Sequence, residues 1–160
     1  METLRTVTLV LGTVSVGLVA GVYYGWAVSV MPGLARTDDR TFVAAFQQMD
    51  KAIVRAPFIS IFLGSLLLTA AAALLHLGSE HRDGLPWTAA AFVLYLLTLI
   101  TTGRFNIPLN NALKEAGDPD KTDVAAARER FDAATWVRWH NIRTVLCVFS
   151  LVCMIVALML

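Results

Sequence analysis

Four long stretches without a charged residue constrain this chain more than any other feature of its sequence. A helix needs about 20 apolar residues to cross a bilayer, and each stretch is near that length or longer. Charged residues make up only 16% of the chain, against roughly 25% in a soluble domain. The sequence therefore predicts an all-α integral membrane protein, a four-helix bundle forming one membrane domain over residues 1–160. The predicted spans are approximately residues 4–31, 57–77, 86–102 and 142–160.

The first connection between spans has the periodicity of an amphipathic helix, predicted over residues 37–55. Its large apolar residues recur at helical spacing, and Thr37 precedes two aspartates, which is the pattern of an N-cap. We expect this helix to lie in the membrane interface or to pack on the bundle. The second connection, residues 78–85, is predicted to be a short polar turn.

The third connection begins with an Asn-x-Pro-x-Asn segment, Asn106 to Asn110. Because proline disfavours helix at the residue before it, this segment is expected to be extended or turned. Asp118 and Pro119 then have the pattern of an N-cap and a first helical residue. From there we expect one long helical extension to run without a break into the fourth span.

The basic residues are distributed unevenly between the two sides of the predicted bundle. Of the 13 basic residues, 11 belong to the first and third connections and their flanks, while only Arg5 and Arg82 belong to the other side. Lys and Arg are enriched in cytoplasmic connections. The bias therefore predicts that both long connections face the cytoplasm and that both termini lie outside.

Several classes of function lack their usual residues in this sequence. The net charge is +1, so nucleic acid is not an expected partner. No Asp or Glu lies inside a predicted span, where a proton- or cation-coupled transporter usually has one. His76 and His81 fall on the opposite side of the predicted topology from His140, so a shared metal site is not expected. No Cys-x-x-Cys or phosphate-binding glycine loop occurs either.

Span one contains Gly17, Gly21 and Gly25 at four-residue spacing. Such a face of small residues lets two helices approach closely in a membrane. The face either packs against another span of the same chain or joins two copies of the chain. A homo-oligomer is therefore a possible assembly, with membrane lipid as the other expected neighbour.

The start of the fourth span carries the most informative candidate site. Trp136, His140 and Arg143 are spaced four and three residues apart, so they share one helix face. Ionisable groups near membrane depth are costly and tend to be functional. The same residue types also have structural uses, since Trp forms interfacial belts and Arg snorkels. Further candidates expected on the same side are Trp139, Arg104, Asn106, Asn110 and Tyr23.

Four segments of the chain, in order, match a known pattern of small membrane proteins. They are Val-Met-Pro-Gly-Leu at 30–34, residues 42–58, Phe-Asn-Ile-Pro-Leu-Asn-Asn at 105–111 and Trp-x-x-Trp-His-Asn-x-Arg-Thr at 136–144. With these segments the chain resembles the DUF1772 group, the anthrone oxygenase-like family of four-span membrane proteins. Fungal members of that family oxidise anthrones to anthraquinones without a bound cofactor. The resemblance implies the fold, an expected bacterial plasma membrane location, and an oxygenase-like activity.

The residues present are compatible with such chemistry. Oxidation of an anthrone needs a base, donors for an oxyanion and flat apolar walls, but no metal or cofactor. We expect His140 as the base, with Arg143 and Asn106 holding the oxyanion. The expected substrate is a flat hydrophobic phenol or quinol, contacted by Trp136, Trp139, Asn110, Arg104 and Tyr23. The alternative is a non-catalytic membrane binding or assembly module in which this polar cluster is structural.

Overall fold

The computed structural model describes residues 2–78 and 82–160, and helices account for most of both ranges. Four helical segments are long and apolar enough to cross a membrane. The prediction of an all-α protein with four spans is therefore confirmed, and the chain is an integral membrane protein. The four segments are Glu2–Leu34, Ala56–Leu77, Arg82–Glu115 and Val124–Met159.

Within the described residues there are eight α-helices. They are α1 (Glu2–Gly25), α2 (Met31–Leu34), α3 (Asp39–Ile53), α4 (Ala56–Leu77), α5 (Leu85–Thr101), α6 (Ile107–Glu115), α7 (Val124–Phe131) and α8 (Ala133–Met159). Of the turn predicted at 78–85, residues 79–81 lie outside the described residues. The rest of it contains a short 3-10 turn, Arg82–Gly84, that leads directly into α5.

The spanning helices form a closed ring in which each packs against two neighbours. The order around the ring is α1, α4, α5 and α8, and α8 closes it against α1. Many large apolar side chains on the outer faces are exposed, as expected of surfaces that contact lipid tails. The start of α1, the end of α8 and the Arg82–Gly84 turn lie at one end of the bundle, and the two long connections lie at the other, here called the connection end.

Hydrogen bonds between spans satisfy polar groups inside the ring. Ser150 Oγ donates to the Ala91 carbonyl (2.8 Å), and Tyr95 Oη donates to the Phe62 carbonyl (2.9 Å). Several Thr and Ser hydroxyls donate to the carbonyl four residues earlier in their own helix, for example Thr69 to Ser65. Such pairing is required where no water can take the place of a missing partner.

Two π-helical turns carry the first and third spans past a proline. The Met31 amide donates to the Trp26 carbonyl and the Ile107 amide to the Thr102 carbonyl, five residues back in each case. A proline follows each turn at once, at Pro32 and at position 108. Because the wider turn moves aside the carbonyl with which a proline ring would clash, the helix continues.

The prediction that the Asn106–Asn110 segment is extended or turned is therefore wrong. Ile107 has helical dihedral angles (φ −61°, ψ −44°), and Pro108 lies in the first turn of α6. The third span thus continues as helix to Glu115, a segment of 34 residues. At 1.5 Å per residue this is about 50 Å, well beyond the roughly 30 Å of the hydrocarbon core.

The predicted unbroken helix from Pro119 into the fourth span is also wrong. Helix α7 starts at Val124, where Asp123 accepts a hydrogen bond from the Ala126 amide as the N-cap. A break follows at Asp132, which has a left-handed conformation (φ 46°) and caps α8 by accepting from the Thr135 amide. Aspartate tolerates that conformation better than most residues. The helical extension is therefore two helices, α7 and α8, separated by the single non-helical residue Asp132.

Helices α2, α3, α6 and α7 build an apolar cap over the connection end. The buried face of α3 presents Phe42, Val43 and Phe46 to α6 and α7. This amphipathic helix was expected either to lie in the membrane interface or to pack on the bundle. In the structure its apolar face packs on the rest of the chain. Its N-cap is Asp38, which accepts from the Thr41 amide (3.0 Å), so the prediction of Thr37 as the cap is wrong.

The glycine face of span one has little to contact within the chain. A Cβ at Gly17 would touch Leu151 at 3.6 Å, whereas one at Gly21 or Gly25 would meet no described atom within 4 Å. Packing within the chain therefore does not account for the two later glycines. The proposal that this face joins two copies of the chain stands as an expectation.

Candidate functional site

A cavity of about 220 Å³ lies at the connection end, between the ring of spans and the cap. Span one, span three and α8 form its inner wall, and α3 and the start of α4 form its outer wall. The two π-helical turns begin at its lining residues Trp26 and Thr102. The aromatic part of the lining consists of Tyr23, Trp26, Phe46, Phe58, Phe62 and Trp136.

A buried hydrogen-bond network centred on His140 forms one wall. Its Nε2 donates to the Tyr23 backbone carbonyl (2.9 Å), and its Nδ1 accepts from Arg143 Nε (3.1 Å). Since the carbonyl can only accept, the ring is the neutral tautomer with its proton on Nε2. The single lone pair of the ring is therefore engaged by Arg143. The base predicted at His140 has no free lone pair in this arrangement.

The Arg143 guanidinium is held from three sides. Nη1 donates to Thr102 Oγ1 (3.1 Å), and Cζ lies 4.4 Å from the Tyr23 ring centre. Because the Thr102 hydroxyl donates to the Thr98 carbonyl (2.8 Å), it accepts from both Arg143 and Tyr23 Oη, which is 3.3 Å away. These contacts fix the guanidinium in a single position at the edge of the cavity.

Arg143 is buried, with 7% of its surface exposed, yet it has no ion-pair partner among the described residues. Among the residues that the structure describes, no carboxylate lies within ion-pair distance of its guanidinium. Its partners are a neutral imidazole and a hydroxyl, together with two aromatic ring faces. A buried cation without a compensating anion is costly. The cavity beside it is therefore electrostatically suited to an anionic group.

A second polar wall is built around Asp50, which is 5% exposed. Its Oδ1 accepts from Asn110 Nδ2 (2.7 Å), and its Oδ2 lies 3.0 Å from Lys114 Nζ. Asn110 Oδ1 in turn accepts from Trp136 Nε1 (2.7 Å). The Asp50 carboxylate on α3 is thus held by Asn110 and Lys114, which are one turn apart on α6. Asn110 also connects it to Trp136 on α8.

Five of the eight predicted site residues line this cavity, namely Tyr23, Asn110, Trp136, His140 and Arg143. The other three do not. Asn106 is buried beneath it, where Nδ2 donates to the Trp136 carbonyl (3.1 Å) and Oδ1 has no described partner. Trp139 stacks on Phe105, with ring centres 3.5 Å apart, and Arg104 is exposed on the outside.

The residues that the sequence interpretation missed come mainly from the cap. Asp50 lies four residues after Phe46, so a carboxylate on the apolar face of an amphipathic helix was a readable signal. Lys114 lies four residues after Asn110 and shares its helix face. That signal was lost because the segment was not predicted to be helical. Trp26 was expected at the end of span one that faces the site, but it was not among the predicted site residues.

Within residues 2–78 and 82–160, no group of three or more His, Cys, Asp or Glu side chains lies close enough to hold a metal ion.

The family model "Anthrone oxygenase" matches residues 57–153. The chain belongs to the anthrone oxygenase family. Comparisons with curated proteins and with solved structures found no significant match.

The matched segment contains the fourth-span face with Trp136, His140 and Arg143. It begins at residue 57, so Tyr23 and Asp50 lie outside it. Ten of the 17 lining residues therefore lie within the family match, and the other seven, from span one and the first connection, come before it. The family membership supports an oxygenase-like membrane protein, while the substrate has to be argued from the cavity itself.

Proposed function

We propose that this protein is a membrane oxygenase that oxidises a flat, hydrophobic phenol or quinol, such as an anthrone, with dioxygen and without a bound cofactor. The observation that carries the proposal is the Arg143 guanidinium, which is buried beside an aromatic cavity and has no ion-pair partner in the part of the chain that the structure describes. A substrate that becomes an oxyanion during the reaction would supply the missing negative charge. Stabilisation of developing charge is often the largest single contribution to catalysis.

The shape and lining of the cavity favour a small, flat substrate. Its volume of about 220 Å³ is below the roughly 300–1,000 Å³ of pockets for drug-sized ligands. Aromatic side chains suit a ring system that stacks on them. The lining residues Val54 and Ile107 are apolar and exposed, 59% and 46% respectively. A hydrophobic molecule could reach the cavity between them from the lipid side of the bundle.

The proposed reaction balances with dioxygen as the only co-reactant. A base removes a proton from the CH₂ group of the substrate, and the electron pair stays on the ring system as an enolate whose oxygen faces Arg143. The enolate passes one electron to dioxygen, and the resulting radical pair joins through a new C–O bond to give a hydroperoxide after the proton returns. Loss of water from the hydroperoxide leaves a carbonyl group. One CH₂ and one O₂ become one C=O and one H₂O.

A non-catalytic binding or assembly module is the alternative function. In that case the polar groups would be expected to bond one another and leave no space. The His140–Arg143–Thr102 network fits that description, but the cavity beside it does not. The open volume therefore favours a ligand site, and turnover distinguishes an oxygenase from a binding module.

The test is oxygen consumption by the purified protein in lipid nanodiscs with anthrone as substrate. Arg143→Met is compared with Arg138→Met, a matched control because Arg138 is exposed on the same helix. We expect the wild type and the control to consume oxygen faster than empty nanodiscs. Arg143→Met should be slower by about 10²–10³-fold, the cost of removing one oxyanion donor. Binding of anthrone without oxygen consumption by the wild type would contradict the oxygenase and support the binding module.

A further inference from the structure

We infer that Asp50, rather than His140, is the proton acceptor of this site, with Asn110 and Trp136 as its positioning residues and Lys114 as its counter-ion. The inference rests on the proposed function and names the base that function requires. Asp50 lies before the segment that matches the family, so the match says nothing about it.

Asp50 is the only carboxylate among the described residues that line the cavity. Its two oxygens have different surroundings. Oδ1 is held by the amide of Asn110 at 2.7 Å. Oδ2 forms only the ion pair with Lys114 Nζ at 3.0 Å and accepts no aligned hydrogen bond from a described residue. Oδ2 therefore keeps a lone pair for a proton, but the atom itself is buried, so a substrate reaches it only when the half-buried Lys114 side chain moves aside.

The supporting contacts form a chain from one helix to the next. Trp136 Nε1 donates to Asn110 Oδ1, and Asn110 Nδ2 donates to Asp50 Oδ1, both at 2.7 Å. The indole proton can only be donated, so the Asn110 amide is held with its NH₂ group towards the carboxylate. An amide oriented in this way keeps the carboxylate fixed while its other oxygen receives a proton.

The imidazole of His140, which was the predicted base, is less suited to accept the proton. His140 has one lone pair, on Nδ1, and Arg143 occupies it through Nε at 3.1 Å and Nη2 at 2.8 Å. Protonation of Nδ1 would break both contacts and set an imidazolium against a guanidinium. The His140 ring is therefore a positioning group for Arg143. This leaves a carboxylate on the cap to take the proton and a cation on α8 to hold the oxyanion.

The step is a single proton transfer. The C–H or O–H bond of the substrate breaks, an O–H bond forms at Asp50 Oδ2, and the electron pair stays on the substrate oxygen near Arg143. No oxidant takes part in this step. Lys114 keeps its charge throughout and offsets the carboxylate charge before the transfer. The same proton is available afterwards for the hydroperoxide.

The kinetic experiment measures oxygen consumption by Asp50→Asn in nanodiscs with anthrone. Asn keeps the shape of the side chain and can still accept from Asn110, but it cannot take a proton at neutral pH. We expect kcat to fall by about 10²–10⁴-fold, the usual contribution of a general base, with KM within about threefold. Raising the pH should partly restore the rate of Asp50→Asn, because hydroxide replaces the missing base. Asp39→Asn is the control, since Asp39 is on the same helix and pairs with Arg128 away from the cavity.

A binding experiment gives a readout that needs no turnover. Alizarin is a flat phenol whose absorption moves to longer wavelength when it ionises, and it can be bound at a pH at which the free dye is neutral. We expect the wild type to bind the dye as its anion without net proton release, because Asp50 keeps the proton. Asp50→Asn should release about one proton for each dye bound. Calorimetry in buffers of different ionisation enthalpy measures that proton.

Each outcome separates this inference from the proposed function. Full activity of Asp50→Asn would overturn the inference and leave the oxygenase intact. Neutral bound dye, or release of one proton by the wild type, would overturn it as well. A wild type that binds the dye as an anion, retains the proton and consumes no oxygen would support Asp50 as the acceptor and contradict the oxygenase. A wild type that neither binds the dye nor consumes oxygen would overturn both.

Discussion

Replacing His140 tests whether its imidazole is a positioning group or the base. His140→Leu removes the side-chain hydrogen bond to the Tyr23 carbonyl and leaves the Nε and Nη2 donors of Arg143 without the acceptor that they have in the wild type. An unpaired buried donor costs about 1–3 kcal/mol or more when it is charged, and a hydrogen bond to a charged group contributes about 1.5–3 kcal/mol. We therefore expect His140→Leu to lower the free energy of unfolding by about 3–5 kcal/mol.

His140→Gln is the matched variant. Its amide oxygen can accept from Arg143, and its amide nitrogen can donate to the Tyr23 carbonyl, so both contacts have a replacement. The expected loss of stability is smaller, about 1–2 kcal/mol, because the stacking of the imidazole on Trp136 (ring centres 4.6 Å apart) is also lost. We expect its oxygen consumption to stay within about tenfold of the wild type, because a positioning contact is weakened but no base is removed.

Both variants are measured by denaturant titration in detergent micelles, by quenching of tryptophan fluorescence on ligand binding, and by oxygen consumption. The refuting result concerns His140→Gln. If that variant is as stable as the wild type and binds the ligand equally well, yet loses oxygen consumption by 10³-fold or more, then His140 takes the proton. The assignment of Asp50 would then be wrong.

Three further predictions test the cap, the assembly and the orientation. Phe46→Ala should destabilise the protein by about 3–5 kcal/mol in the same denaturant titration, because Phe46 is 1% exposed and contacts four aromatic rings. Gly21→Leu should leave thermal stability unchanged, since a Cβ added there meets no described atom within 4 Å, but should weaken any homo-oligomer detected by crosslinking in membranes. In whole cells, a membrane-impermeant thiol reagent should label Arg82→Cys and spare Lys121→Cys, and the reverse pattern would invert the proposed orientation.

The sequence predicted those parts of the fold that depend on composition. Four uncharged runs correspond to four spans, because an apolar segment of about 20 residues crosses lipid as a helix that satisfies its own backbone groups. The wrong predictions concern helix boundaries, at positions where the conformation adopted in the fold differs from the one that the residue type favours. Pro108 was expected to end the helix, but a π-helical turn at Thr102–Asn106 carries the helix past it. The break between α7 and α8 depends on one residue with an uncommon conformation, Asp132, which no periodicity reveals.

The candidate site was predictable to the extent that it lies on one helix. The spacing of Trp136, His140 and Arg143 set a common face, and all three line the cavity. Residues from distant segments could not be assigned in this way. Helix α3 reaches the cavity through contacts between residues that are far apart in the sequence, such as Asp50 and Asn110, which are separated by 60 positions. The face of Trp139 was also not predictable, since its position depends on stacking against Phe105.

The most direct test of the central claim is a turnover in ¹⁸O₂ with anthrone and the wild-type protein in nanodiscs, followed by mass spectrometry of the product. The proposed reaction forms one C–O bond with dioxygen, so the new carbonyl should carry one ¹⁸O atom and the other should appear in water. Product should form in excess over empty nanodiscs, and Arg143→Met should abolish that excess. An unlabelled carbonyl would contradict oxygen transfer from dioxygen. Equal amounts of product with and without the protein would contradict the oxygenase.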